Sequence, residues 1–239
     1  MINGLLGKKL GMTQIFSVKG EAISVTVVEA GPCVVLQVKT KEKDGYLSAQ
    51  LGYSEKKESR TNKPDMGRFK KVGVKPTRFV RELRSEDLEG LKIKDSVTVN
   101  IFQAGEYVNV TGVSIGKGFQ GGIKRWHWKG GPKSHGSKSH RAPGSIGSSA
   151  DPSRVFKGQH LPGQMGNKKV TVQNLEVVEI DEENNLMLLK GATPGFKGGY
   201  LVIKKSIRKK KKEPKPEAEE GKDKKEGTGA RKNSSPKKK

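Results

Sequence analysis

All four histidines of the chain (His127, His135, His140 and His160) and both tryptophans (Trp126 and Trp128) fall between Gly112 and Val170, a stretch whose single acid is Asp151. Imidazoles can hold metals or move protons, so those chemistries are weighed first. Zinc needs ligands in paired short spacings; these histidines match none, and no cysteine lies nearby. A carboxylate-oriented general base would have to rely on Asp151 alone. Gly116-Lys117-Gly118-Phe119-Gln120-Gly121 satisfies the dinucleotide pattern G-x-G-x-x-G. However, the residues after it (Gly122, Trp126, Trp128, Gly130, Gly131) do not read as a helix. About twenty residues on, where an acid should hold ribose, stands Arg141. Gly112 to Gly118 is one residue short of a P-loop and has Gly118 where Ser or Thr would hold magnesium. The expectation is no metal, no cofactor and no catalysis.

What survives is recognition of phosphates and bases. The glycines let main-chain N–H groups approach phosphate closely, with Lys117 beside them. Lys124-Arg125-Trp126-His127-Trp128-Lys129 is the densest base-stacking candidate. Trp126 and Trp128 either stack on or wedge between bases, or seal a small local cluster from one side of a strand; the residues alone leave both open. The imidazoles of His127, His135, His140 and His160 suit stacking on bases or donation to phosphate. In Ser139 to Gly147, stiffened by Pro143, Arg141 can grip phosphate bidentately. Lys129, Lys133, Lys138, Arg154, Lys157, Lys168 and Lys169 extend the cationic scatter. Gly163-Gln164-Met165-Gly166-Asn167 is uncharged; its amides suit base edges or 2′-hydroxyls, with a plain turn as the alternative.

Composition points the same way. The chain has 239 residues with 48 Lys and Arg against 25 Asp and Glu, a net charge of +23 and a hydrophobic fraction of 31%. That fraction is low for a compact globule, so part of the chain should be ordered by a partner, and a charge of this sign selects polyanions. The stretch from Gly112 to Lys169 has few aliphatics and cannot offset its own folding entropy, which makes RNA the expected organiser. No apolar run approaches the ~18–20 residues of a membrane span, and the N-terminus lacks a signal-peptide core. The single cysteine, Cys33, is read as a small buried hydrophobe in a strand and fits a reducing, cytoplasmic setting.

The elements that position this stretch read as β. Ile23, Val25 and Val27 alternate with Ser24 and Thr26. Val34 to Val38 follows the Gly31-Pro32 break, and Leu47, Ala49, Leu51 and Tyr53 alternate after a Lys43-Asp44-Gly45 turn. A helix is predicted to start at Asn62-Lys63-Pro64-Asp65 and to stop at Gly73. Strand signals return at Val97, Val99 and Ile101, at Tyr107 to Val110, at Val170 and Val172, and at Leu175 to Ile180. Asp181 to Asn185 turns into Leu186–Leu189, and Tyr200 to Ile203 is the last candidate. An antiparallel barrel whose strands flank a long excursion fits best. From Ile207 the chain is Lys, Glu, Pro and Gly and should be disordered.

Several of these motifs in order resemble one known family. Gly4-Leu5-Leu6-Gly7-Lys8-Lys9-Leu10-Gly11-Met12-Thr13, Gly116 to Arg125, Ser139 to Gly147 and Gly163 to Asn167 together are similar to the bacterial form of the universal large-subunit ribosomal protein three family. The likeness runs from Met1 to about Lys205 and leaves out the tail. It implies a mainly β fold: a Greek-key β-barrel of the translation-protein type, a small α+β insertion and a long irregular extension that penetrates ribosomal RNA. It further implies direct binding of 23S rRNA, an early role in assembly, an extension tip (about Trp126 to His140) near the entrance to the peptidyl transferase centre, and large-subunit proteins fourteen and nineteen as neighbours. Lys8 and Lys9 join the RNA-contacting candidates, and Gln164 becomes a candidate for methylation.

On this reading residues 1–54, 95–115 and 169–206 form the barrel and 55–94 the α+β insertion. Residues 116–168 are the RNA-binding extension, and 207–239 a disordered Lys-rich tail. The protein is expected in the cytoplasm, bound to ribosomes. A sequence-tolerant nucleic-acid chaperone shares the charge but not the ordered motifs, and an enzyme would need turnover tracking His127, His140 or Asp151.

Overall fold

The computed structural model describes residues 2–17, 19–85, 88 and 90–207; of the predicted tail, only Ile207 lies among them. In chain order the elements are β1 (Gly4–Phe16), β2 (Ala22–Ala30), β3 (Cys33–Lys39), a single turn α1 (Lys41–Asp44), β4 (Ser48–Glu55), α2 (Lys63–Val72), β5 (Thr77–Arg84) and β6 (Ser96–Val97). They continue as β7 (Tyr107–Val113), β8 (Gly118–Gln120), α3 (Gly122–Trp126), β9 (Gly163–Met165), β10 (Lys169–Asp181), β11 (Leu186–Lys190) and β12 (Tyr200–Lys205).

Six strands close into an antiparallel barrel in the order β1-β12-β7-β10-β11-β2, as the mainly β expectation required. A second sheet runs β5-β4-β3-β6. Residues 33–54 were assigned to the barrel from sequence, but β3 and β4 pair with β5 and β6 instead. The two sheets are nonetheless cemented by one core. Leu5, Leu6, Val28, Val110, Val177, Met187 and Ile203 of the barrel join Val35, Ala49, Leu51 and Leu83 of the second sheet in a single buried cluster. Each such Val, Leu, Ile or Met side chain removed from water contributes roughly 1.5–3 kcal/mol, so neither sheet is an independent structural layer.

The predicted helix forms as α2, with Asn62 at the N-cap position, Pro64 in the first turn and Gly73 ending it in the left-handed conformation; Phe69 is its buried anchor. Cys33 is buried in β3, and its thiol donates to the Leu6 carbonyl at 3.4 Å. Desolvation raises that thiol to about 12. One expectation is corrected and one strand goes unread. The strand expected over Val97, Val99 and Ile101 is only Ser96–Val97; Val99–Ile101 is a 3-10 turn that buries Val99. And β1, the longest barrel strand with β10, had no strand signal. Its glycines hide the pattern because the neighbours leave no room: a Cβ on Gly7 would sit 2.5 Å from the Glu29 carbonyl oxygen.

β2 is covered on both faces. Val25 is buried on one, as its alternation predicts, and Thr26, Val28 and Ala30 are buried on the other, with Val27 half-buried. The bulge at Lys9/Gly11 puts its extra residue, Leu10, on β1 and leaves the alternation of β2 unbroken. The hydroxyl of buried Thr26 is satisfied by the Gly191 carbonyl at 2.6 Å.

Candidate nucleic-acid interface

β7 and β10 are paired neighbours, with Val113 opposite Lys169. The extension therefore leaves and re-enters the barrel side by side. Its root continues the ladder. The Ser114 N–H donates to Lys168 O at 2.9 Å, Asn167 N–H to Ser114 O at 3.1 Å and Lys117 N–H to Met165 O at 2.9 Å. β8 and β9 then pair in register, Gly118 opposite Met165 and Gln120 opposite Gly163.

Above this hairpin sits a neck. Gly122 to Trp126, which carry no helix signal, nonetheless form the short helix α3. Its start is possible because Gly122 has no side chain: a Cβ there would fall 2.0 Å from the Trp128 ring. Trp128 is half-buried against that glycine. From the end of α3, Arg125 donates to the Leu161 carbonyl at 2.6 Å and the Trp126 Nε1–H donates to the same oxygen at 2.9 Å. The Arg125 guanidinium lies 4.9 Å over the Trp126 ring, and His160 stacks on Trp126 with centroids 4.1 Å apart. Trp126 and Trp128 thus both make local contacts, Trp126 with the returning arm and Trp128 with Gly122, while each stays partly exposed. A shared apolar face could not reveal this, because the partners of Trp126 come from the returning arm.

Beyond the neck the chain has no helix or strand until β9. Gly131 N–H donates to His140 O at 3.1 Å, and His140 Nδ1 lies 2.7 Å from the Pro132 carbonyl. These contacts close a local loop that contains Lys133, His135 and Lys138. Every residue from Arg141 to His160 is exposed. Lys117, Lys124, His127, Lys129, Lys133, His135, Lys138, His140, Arg141, Arg154, Lys157, His160, Lys168 and Lys169 are all exposed. Among the described residues no cation of the extension makes an ion pair. Also among the described residues, no group of His, Cys, Asp or Glu is gathered as a metal site.

Lys9 does not belong with the RNA-facing cations. It is buried, its Nζ donates to Thr193 O at 2.9 Å and Gly195 O at 3.4 Å, and desolvation holds its pKa below the ordinary lysine value. It ties β1 to the 191–199 loop. Lys8 is half-buried. Gln164 stands exposed on β9 opposite Phe119, its amide donating to Met165 O at 3.3 Å. Sequence reasoning missed the exposed aromatics Phe119 and Phe156, 75% and 59% accessible, the latter under the Arg154 guanidinium at 5.2 Å. The Arg154-x-Phe156 spacing was the available signal.

A closed antiparallel barrel that projects a cationic, acid-poor arm is the class of architecture these residues define. A family model described as Ribosomal protein L3 matches residues 88–187. The chain is 57% identical over 207 residues to the large ribosomal subunit protein uL3 of Syntrophotalea carbinolica, covering 86% of this chain and 99% of that one. It is 53% identical over 210 residues to that of Carboxydothermus hydrogenoformans (88% and 100% covered) and 54% over 211 residues to that of Geotalea daltonii (88% and 100%). The chain belongs to the large ribosomal subunit protein uL3 family. It is a ribosomal protein with a structural role in translation, not an enzyme. No helix among the described residues is long and apolar enough to cross a membrane.

Proposed function

We propose that this chain binds 23S rRNA directly through residues 116–168, acts early in large-subunit assembly, and carries its extension toward the peptidyl transferase centre. The observation that carries this reading is electrostatic: residues 116–168 hold ten Lys and Arg and one acid, and none of those cations is neutralised within the described protein. Such an arm repels itself in solution and releases counterions when it meets phosphates. The neck fixes where it leaves the barrel, and RNA organises the rest. We also propose large-subunit proteins fourteen and nineteen as its neighbours in the cytoplasmic ribosome and Gln164 as a methylation candidate, in support of which the Gln164 side chain is exposed on β9.

Sedimentation of cells carrying charge-reversed extensions tests the reading. Substitution of Lys138 and Arg141 by Glu should lower the yield of mature large subunits and accumulate lighter precursors. Normal particle profiles together with unaltered crosslinking of the variant to rRNA would remove the reading.

A further inference from the structure

Outside the barrel, where β7 and β12 run beside β5, lies an apolar concavity of about 380 Å³. That is at the low end of the ~300–1,000 Å³ of small-ligand sites, room for one ligand-sized group. Its walls include Val113, Phe79, Phe196 and Tyr200, and its charged lining residues are Arg81 and Lys169, with no acid. Among the described residues neither cation is in an ion pair. Arg81 lies 4.8 Å over Phe79, which stacks on Tyr200 with centroids 4.8 Å apart. That stack forms one firm wall.

Phe196 is 60% exposed although its loop is tightly tethered. Lys9 N–H donates to Gly199 O at 2.9 Å, Gly198 N–H to Lys9 O at 2.7 Å and Gly199 N–H to Phe196 O at 3.0 Å, while the buried Lys9 ammonium holds Thr193 O. The protein thus presents an aromatic face to water from a pinned loop, beside two unneutralised cations. An occupant matching this lining carries a flat apolar group and a negative charge together. A protein partner would need an interface of roughly 1,000 Å² or more; a single concavity of this size matches one nucleotide better.

We propose that this concavity receives one unstacked nucleotide of RNA, its base on Phe196 and its phosphate between Arg81 and Lys169. This is a second RNA contact, on the barrel and independent of the extension's tip, and it rests on the RNA-binding reading above. Base–aromatic stacking tolerates any base, so the contact fixes position without reading sequence.

The test uses the full chain in assembled large subunits, with the photoreactive residue p-benzoylphenylalanine placed at Phe196 and, in a second chain, at Val113. Irradiation should join both to rRNA. Joining to another ribosomal protein, or no crosslink from chains present in the subunit, overturns the proposal. With deproteinised large-subunit RNA as the probe, Phe196→Ala should bind about tenfold more weakly. Phe196→Tyr should restore binding, whereas Phe196→Leu should not; full binding by F196A or F196L overturns the stacking. Absence of binding by the unsubstituted chain would bring down the RNA-binding reading itself, and this inference with it.

Discussion

Trp126 and His160 lie face to face with ring centroids 4.1 Å apart and planes within 7°, joining the outgoing and returning arms of the extension. Two aromatic groups whose composition suited them to bases therefore hold each other, and both lie beside the Leu161 carbonyl that Arg125 and Trp126 share. The arm consequently has a defined exit direction before any partner arrives.

Trp126→Ala removes the stack and one of the two donors to Leu161. A ring stack contributes roughly 0.5–1.5 kcal/mol and a hydrogen bond roughly 1 kcal/mol, so the neck should open while the barrel, which shares no core residue with it, keeps its unfolding midpoint. Hydrogen exchange should show faster amides at Phe119–Arg125 with unchanged barrel protection; equal loosening of both would contradict the separation.

Both tryptophans of the chain lie in this neck, so intrinsic tryptophan fluorescence reports on it alone. Gly122→Ala places a methyl where the Trp128 ring now sits and should eject that ring, moving emission to longer wavelength without altering barrel stability. An unshifted spectrum would mean the indole does not rest on Gly122.

Affinity for rRNA should fall steeply with salt. If all ten extension cations neutralise phosphates of a duplex-like surface, log K falls by about 9 per tenfold rise in salt. Each Lys or Arg replaced by Gln, beginning with Lys138 and Arg141, should reduce that slope by roughly one. Lys9→Gln should leave the slope alone and instead destabilise the barrel by about 1–3 kcal/mol, because buried carbonyls lose their charged donor. Slope measurements and denaturant titrations separate the two effects.

Cys33 sets an alkaline limit. Its thiol ionises near 9 when unfolded and about 12 when folded. Between those values the unfolded chain has released a proton that the folded chain still holds, so stability present below pH 9 is lost as pH rises toward 12. The slope from this one group is at most about 1.4 kcal/mol per pH unit. Cys33→Ala should flatten that part of the alkaline unfolding curve, and alkylation of the native thiol should be as slow as unfolding. Fast native labelling would count against a buried Cys33.

Legibility followed the physics of each segment. β2, β4 and α2 could be read because alternation, Pro64 and Gly73 are local signals. β1 could not, since Gly4 and Gly7 serve neighbours that are distant in sequence. The sheet to which β3 and β4 belong is likewise decided by pairing with β5 and β6, which no periodicity encodes. At the interface the cationic scatter was evident from composition. The neck was not, because the partners of Trp126, His160 and Leu161, lie on the returning arm, distant in sequence; nor was the burial of Lys9, whose neighbour Lys8 has the same charge and a different fate.

Because Val113 and Lys169 face each other across adjacent strands, everything from Ser114 to Lys168 is topologically an overgrown hairpin turn. Closing such a turn costs only logarithmically more as it lengthens. The barrel is therefore nearly indifferent to how far its arm reaches, and grafting a tight two-residue connection there should yield a barrel that still folds without its cationic limb.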